Sequence, residues 1–298
     1  MSSKSYGFSV AHDRWRVIGP LELLVLALLV VLVCWLVFPR DLSSILRNAR
    51  MDAVTLSYAR TWLQARPDDY ELRLLMARDL IELGLFEQAE EQLDYVAGQS
   101  NQRELLNLQA WLRARLPFVA LMALPAEERA DSPISVEAGF ALRRVDPTDL
   151  GDDEVRRYAD MALLLGNLDA AVRAYHLLAE RQPSPSTWYR QAATDLLAHG
   201  RYRAAANEYL LAMESQTDPA LRRADFLQAL ATLQAGGLLD QALAVGRRQG
   251  PAFADQPEVL YRLMNLARAA GDHRQAQFYA TRLLRLDADP TPVTGDGA

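Results

Sequence analysis

The sequence predicts an all-α protein, with a single N-terminal transmembrane helix followed by a solenoid of helix-turn-helix units, and three observations lead there. A short pattern that opens on glycine and reaches a small alanine five residues later recurs at Gly84 to Ala89, Gly166 to Ala171, Gly200 to Ala205, Gly237 to Ala242 and Gly271 to Ala276. Gly166 and Gly200 are 34 residues apart, as are Gly237 and Gly271, and a fixed period of that size marks stacked two-helix units. Hydrophobic residues make up 50% of the chain while glycine and proline number only 15 and 14, a balance that favours packed helices over strands or disorder. Finally, Leu21 to Phe38 is an almost unbroken apolar run of bilayer-spanning length.

Residues 1–18 form a short polar tail with a few basic groups, and residues 19–38 are expected to be the membrane anchor. Glu22 lies at one edge of this segment and Trp35 near the other, where an indole suits the interface. A cleavable signal peptide is the rival reading, but Phe38-Pro39-Arg40-Asp41 lacks the small residues of a cleavage site. Lys4, Arg14 and Arg16 on one flank balance Arg40, Arg47 and Arg50 on the other. Arg40 is adjacent to Asp41, however, and a first apolar helix usually keeps its short basic tail in the cytoplasm. The expected setting is therefore the bacterial inner membrane, single-pass, with the repeats in the periplasm.

Residues 39–51 read as a stalk. A first repeat sub-array covers 52–115: a lone second helix from Asp52 to Arg66 closed by Pro67-Asp68-Asp69, a pair from Tyr70 to Leu83 and Phe86 to Ala97, and a further helix from Arg103 to Arg115. Pro117, Pro125, Pro133 and Pro147 interrupt residues 116–150, where helices should be short or kinked. That segment is either a degenerate repeat or a joint between sub-arrays. Regular pairs resume over 151–287, and the tail 288–298, with two prolines and a closing Gly-Asp-Gly-Ala, has no apolar period and is expected to be disordered.

In each copy the glycine takes a left-handed helix cap and the alanine lets two helices approach closely. Through Gly84, Phe86 and Ala89, then Gly166, Leu168, Ala171, Tyr175 and Pro183, then Gly200, Tyr202, Ala205, Tyr209 and Ala212, and Gly271 with Ala276, the chain resembles the tetratricopeptide repeat family. The resemblance implies a solenoid whose first helices line a concave, partner-binding face. Separately, Phe38-Pro39-Arg40, Leu56-Ser57-Tyr58, Leu63, Pro67-Asp68-Asp69 and Leu72-Arg73-Leu74 look like the start of the repeat-bearing exporter of Pel-type exopolysaccharide, which implies a place in an export assembly of the bacterial envelope.

The residues argue against catalysis. His12, His176, His199 and His273 fall at no triad or metal-ligand spacing, and no Gly-rich phosphate loop or nucleophile elbow is present. Asp152-Asp153-Glu154 opens a helix, where acids favour the helix dipole without any metal. Cys34 is the single cysteine, so no disulfide framework forms within one chain. The net charge of −6 is spread among interspersed acids and bases, which gives a nucleic acid no footprint.

No enzyme activity, cofactor or metal is expected, and the partners should be other proteins of an envelope complex. Aligning the repeats on their glycines places Arg156, Arg190, Leu227 and Tyr261 at one position of the groove and Asp160, Thr194, Ala231 and Asn265 one turn on. Arg78 matches the second position in the early repeat, and Arg268 lies nearby in the last. The candidate groove is thus Arg78, Arg156, Arg190, Thr194, Tyr261, Asn265 and Arg268, with Arg156 and Arg190 able to fork onto carboxylates of a partner. Phe278 and Leu284 mark a C-terminal edge open to docking or self-association. The sequence supports an interaction scaffold, with a chaperone-like or polymer-binding module as the alternative.

Overall fold

The computed structural model describes residues 20–37 and 53–288, and every regular element among them is helical. The expected tail 1–18, the stalk 39–51 and residues 289–298 of the expected disordered tail lie outside the described residues.

The expectation of a transmembrane helix at 19–38 needs correction. Helix α1, Pro20–Val37, does form. Among the described residues, however, no helix is long and apolar enough to cross a membrane. The physical reason lies in its length: 18 residues rise about 27 Å against a hydrocarbon core of about 30 Å. Glu22 stands in its first turn, which confines the uninterrupted apolar run to Leu23 onward, about 22 Å. The fold class is all-α without the membrane helix.

The chain divides into two compact units, residues 1–75 and 76–298. In the first, α2 (Ala53–Ala65) leads through a proline turn into α3 (Tyr70–Glu82), inside which the division falls. Asp69 organises that turn: one carboxylate oxygen accepts from the Leu72 backbone N–H at 3.1 Å and the other from the Trp62 indole at 3.3 Å. Arg73 in turn donates to the Pro67 carbonyl at 2.9 Å.

In the second unit, α4 (Phe86–Gln99) and α5 (Arg103–Met122) precede a short α6 (Ala126–Arg129) and α7 (Pro133–Leu142). Four pairs follow: α8 (Asp152–Leu164) with α9 (Leu168–Arg181), α10 (Pro185–Ala198) with α11 (Tyr202–Ser215), α12 (Pro219–Ala235) with α13 (Leu239–Gln249), and α14 (Pro257–Ala269) with α15 (His273–Ala288). Pro133, Pro185, Pro219 and Pro257 sit at helix starts, where a missing N–H costs nothing. Irregularity in 116–150 is smaller than its prolines suggest. Helix α5 runs through Pro117 to Met122 and packs against α7, and their buried Trp111, Ala114 and Leu142 belong to one core cluster with Val155, Tyr158 and Ala159 of α8. Asn107 fixes the exit from α7 by a paired amide contact with the Asp146 backbone, at 2.9 and 3.0 Å.

All five pattern glycines have positive φ, between 69° and 75°. Each ends its helix in the same two-bond turn: the Gly166 N–H donates to Leu163 O at 2.9 Å and the Asn167 N–H to Ala162 O at 2.7 Å, a pairing repeated at Gly84, Gly200, Gly237 and Gly271. This is the Schellman cap, which reverses the chain into the second helix. The alanines five residues on, at 89, 171, 205, 242 and 276, are all buried at the helix contact. A Cβ at Gly166 would meet nothing within 4 Å, so substitution there isolates the backbone term. Gly166→Ala is expected to lower stability by about 1–2 kcal/mol, read from the urea midpoint, with Gly166→Asn costing less.

Candidate functional site

The predicted groove residues do not act alike. Helix α10 presents Arg190 toward α12, where its guanidinium forks onto Asp225 at 2.7 and 2.9 Å. Asp225 is only 3% exposed, so this pair joins consecutive repeats from inside, and Arg190 is not available to fork onto a partner. Thr194 spends its hydroxyl on the Arg190 carbonyl, one turn back, at 2.9 Å. Arg78 pairs with the adjacent Asp79 at 2.9 Å. On α14, Tyr261 and Arg268 are exposed and Asn265 is half-buried. At the C-terminal edge, Phe278 and Leu284 are 55% and 69% exposed.

Arg156 alone of the paired arginines belongs to a richer cluster. Its guanidinium lies 5.3 Å from the centre of the Trp188 ring, across from α8 to α10, close enough for a cation–π contact. Behind it Trp188 stacks on Tyr175 of α9, with centroids 6.1 Å apart and planes 17° from parallel. The indole N–H donates to Gln182 Oε1 at 3.0 Å, and the Gln182 amide donates to Asp152 at 3.2 Å. Three helices therefore hold one indole in a fixed plane.

Two carboxylates flank this stack. Burial pushes the Asp160 carboxyl above its ordinary pKa, Arg156 opposes that, and the charge of Asp195 adds to it. The Tyr175 phenol is likewise pushed up, first by burial and then by the Asp195 carboxylate beside it. Gln191 donates to Asp195 at 3.2 Å. The result is a half-buried aromatic face with one cation on it and two acids at its rim, a surface suited to polar peptide contacts. Among the described residues no group of acids, histidines and cysteines could hold a metal ion.

Trp188 is a residue that alignment on glycine does not pick out, and Tyr175, though one of the repeat-pattern residues, is not placed in the groove by that alignment. Trp188 stands two positions before the Arg190 register, and Tyr175 is on a second helix. The available signal was Trp188 itself, a bulky aromatic in the first turn of a helix beginning with proline.

A second inter-repeat contact has a pH signature. His176 on α9 lies 2.8 Å from Glu208 on α11, with the Tyr189 ring edge-on at 5.3 Å. The hydrogen bond to Glu208 raises the His176 pKa above 6.5, desolvation opposes it, and the charges of Glu208 and Glu180 add to the rise. Because the folded state holds this proton more tightly, the stabilisation is complete below the ordinary histidine value and is lost as pH rises through the raised one. The thermal midpoint is expected to fall as the pH rises from the ordinary histidine value, about 6.5, through the raised one, and His176→Gln should flatten that slope.

Taken together, five identical Schellman turns, paired antiparallel helices and cores shared between neighbours define a helical repeat protein. No family model matches the sequence, and no curated protein matches it. Among solved structures the chain is similar to BtubC (BKLC) from P. vanneervenii, at 17% identity over 77% of this chain and 97% of that one, with a TM-score of 0.31. It is also similar to a circular tandem repeat protein with novel repeat topology and enhanced subunit contact surfaces, at 15% identity, 78% of this chain and 63% of that one, with a TM-score of 0.25. At this level of superposition neither similarity bears on function.

Proposed function

We propose that this chain is a tetratricopeptide-type scaffold that binds a segment of a partner protein across α8 and α10, without catalysis of its own. The observation that supports this reading is the Arg156–Trp188–Tyr175 stack rimmed by Asp160 and Asp195. Fixed aromatics and an arginine are the side chains that dominate binding at protein interfaces. Because the stack is assembled from three helices of adjoining repeats, the folded array carries little ordering cost at that spot when a partner docks.

Affinity capture with the full chain tests the reading. A defined, stoichiometric partner should be recovered and should be lost from a Trp188→Ala, Arg156→Glu variant whose helical circular dichroism is unchanged. A heterogeneous client set insensitive to those substitutions would instead favour the chaperone-like or polymer-binding alternative. The finer part of the proposal is an exopolysaccharide-export setting in the bacterial envelope. Its support is the resemblance carried by Leu56-Ser57-Tyr58, Pro67-Asp68-Asp69 and the neighbouring residues, and co-purification with other export components is its test.

A further inference from the structure

The C-terminal end of the array carries a second surface, apart from the α8–α10 stack and independent of it. Helix α15 and the 3-10 turn Gly250–Phe253 enclose an open groove of about 1000 Å³ lined by Arg274, Phe278, Arg282 and Arg285. A smaller recess of about 210 Å³ adjoins it, sharing Phe278 and Arg282 and adding Arg247 and Gln275. Arg274, Phe278 and Arg282 are four residues apart in succession, which aligns them along one face of α15.

The charge of this surface is one-sided. Arg247, Arg274, Arg282 and Arg285 are all exposed, and among the described residues none of the four forms an ion pair. Elsewhere in the same unit arginines are paired across repeats, as Arg190 is with Asp225 and Arg223 with Glu258. Among the described residues, Asp255 is the one acid lining the groove. Amid these cations, Phe278 is 55% exposed, and Gln275 Oε1 is buried without a hydrogen-bond donor. Four uncompensated guanidinium groups, an exposed ring and an unsatisfied acceptor ask for carboxylates, an apolar side chain and an N–H donor respectively.

We propose that this groove docks an acidic peptide segment of a partner protein, one that carries a bulky apolar side chain among its carboxylates. The guanidinium groups take the carboxylates bidentately, Phe278 packs against the apolar side chain, and Gln275 Oε1 accepts a hydrogen bond from the bound segment.

The probe is a short fluorescent peptide of Asp and Glu residues around a central Trp, titrated into the full chain and followed by anisotropy, beside a reference peptide with Lys for each acid. The acidic peptide should bind and weaken as salt is raised, and the Lys peptide should not bind. Arg274→Gln with Arg282→Gln, and separately Phe278→Ala, should each weaken binding about tenfold or more. These exposed replacements are helix-compatible, and unchanged circular dichroism will show that the fold is kept. Trp188→Ala should leave the affinity unaltered, so a failure here is distinct from a failure of the α8–α10 reading.

Equal affinity in the arginine variant, or equal binding of the Lys peptide, would overturn the proposal. So would tighter binding after deletion of 289–298, which would make the chain's own Asp289 and Asp296 the occupants. A wild-type dimer converted to monomer by the same substitutions would overturn it too, in favour of a second copy.

Discussion

Phe226→Ala is expected to destabilise the protein by about 3–5 kcal/mol, the range for removing a fully enclosed aromatic ring. Phe226 on α12 has no exposed surface. It stacks on Phe253 with ring centres 4.9 Å apart and planes 16° from parallel. Its cluster draws Leu210 and Met213 from α11 together with Leu260 and Leu263 from α14, so the cavity would open where three consecutive repeats meet. Repeats in a stacked array depend mainly on their neighbours, and the loss should therefore be local. Native-state hydrogen exchange should show α12 to α15 losing protection first, while α8 and α9 keep theirs. Uniform loss along the second unit would mean that it unfolds as one cooperative block.

The second large effect is an asymmetry at Arg190 and Asp225. Arg190→Ala should cost roughly 3 kcal/mol, at the low end for breaking a buried pair, because the arginine side chain keeps 32% of its surface in water while that of the aspartate keeps 5%. What is lost is chiefly the compensation of a buried carboxylate. Replacing both members, as Arg190→Met with Asp225→Leu, should recover most of the stability, since no charge is then stranded. Urea unfolding of the two single variants and the double variant checks this. Additive losses would contradict it and make the pair a surface contact of small value.

The sequence revealed the turns because their chemistry is local. A Schellman cap needs a left-handed residue, glycine is the residue that takes that conformation cheaply, and five such glycines, two pairs of them 34 residues apart, leave few alternatives. Long-range contacts were less legible. Periodicity put Arg190 on the right face of its helix, but nothing within one repeat announced that Asp225, 35 residues on, would claim it. Pro117 reads as a helix break, yet α5 continues past it, and Trp111, Ala114 and Leu121 are buried along the same helix. Their burial offsets the lost backbone hydrogen bond. Composition alone overstates the apolar run after Pro20, whose reach is set by rise per residue and the position of Glu22. Trp188 escapes the glycine alignment, which samples one position per turn and passes over the residue two before it.

In-cell photocrosslinking tests the central claim, that the face formed by α8 and α10 binds a partner protein. A photoreactive phenylalanine analogue at Thr194, an exposed residue one turn from Arg190 on that face, should yield one discrete protein adduct. The adduct should disappear when Arg156 is changed to Glu. The same analogue at Asn207, exposed on the second helix α11, should yield none. Equal adducts from both positions, or none from Thr194, would contradict the claim.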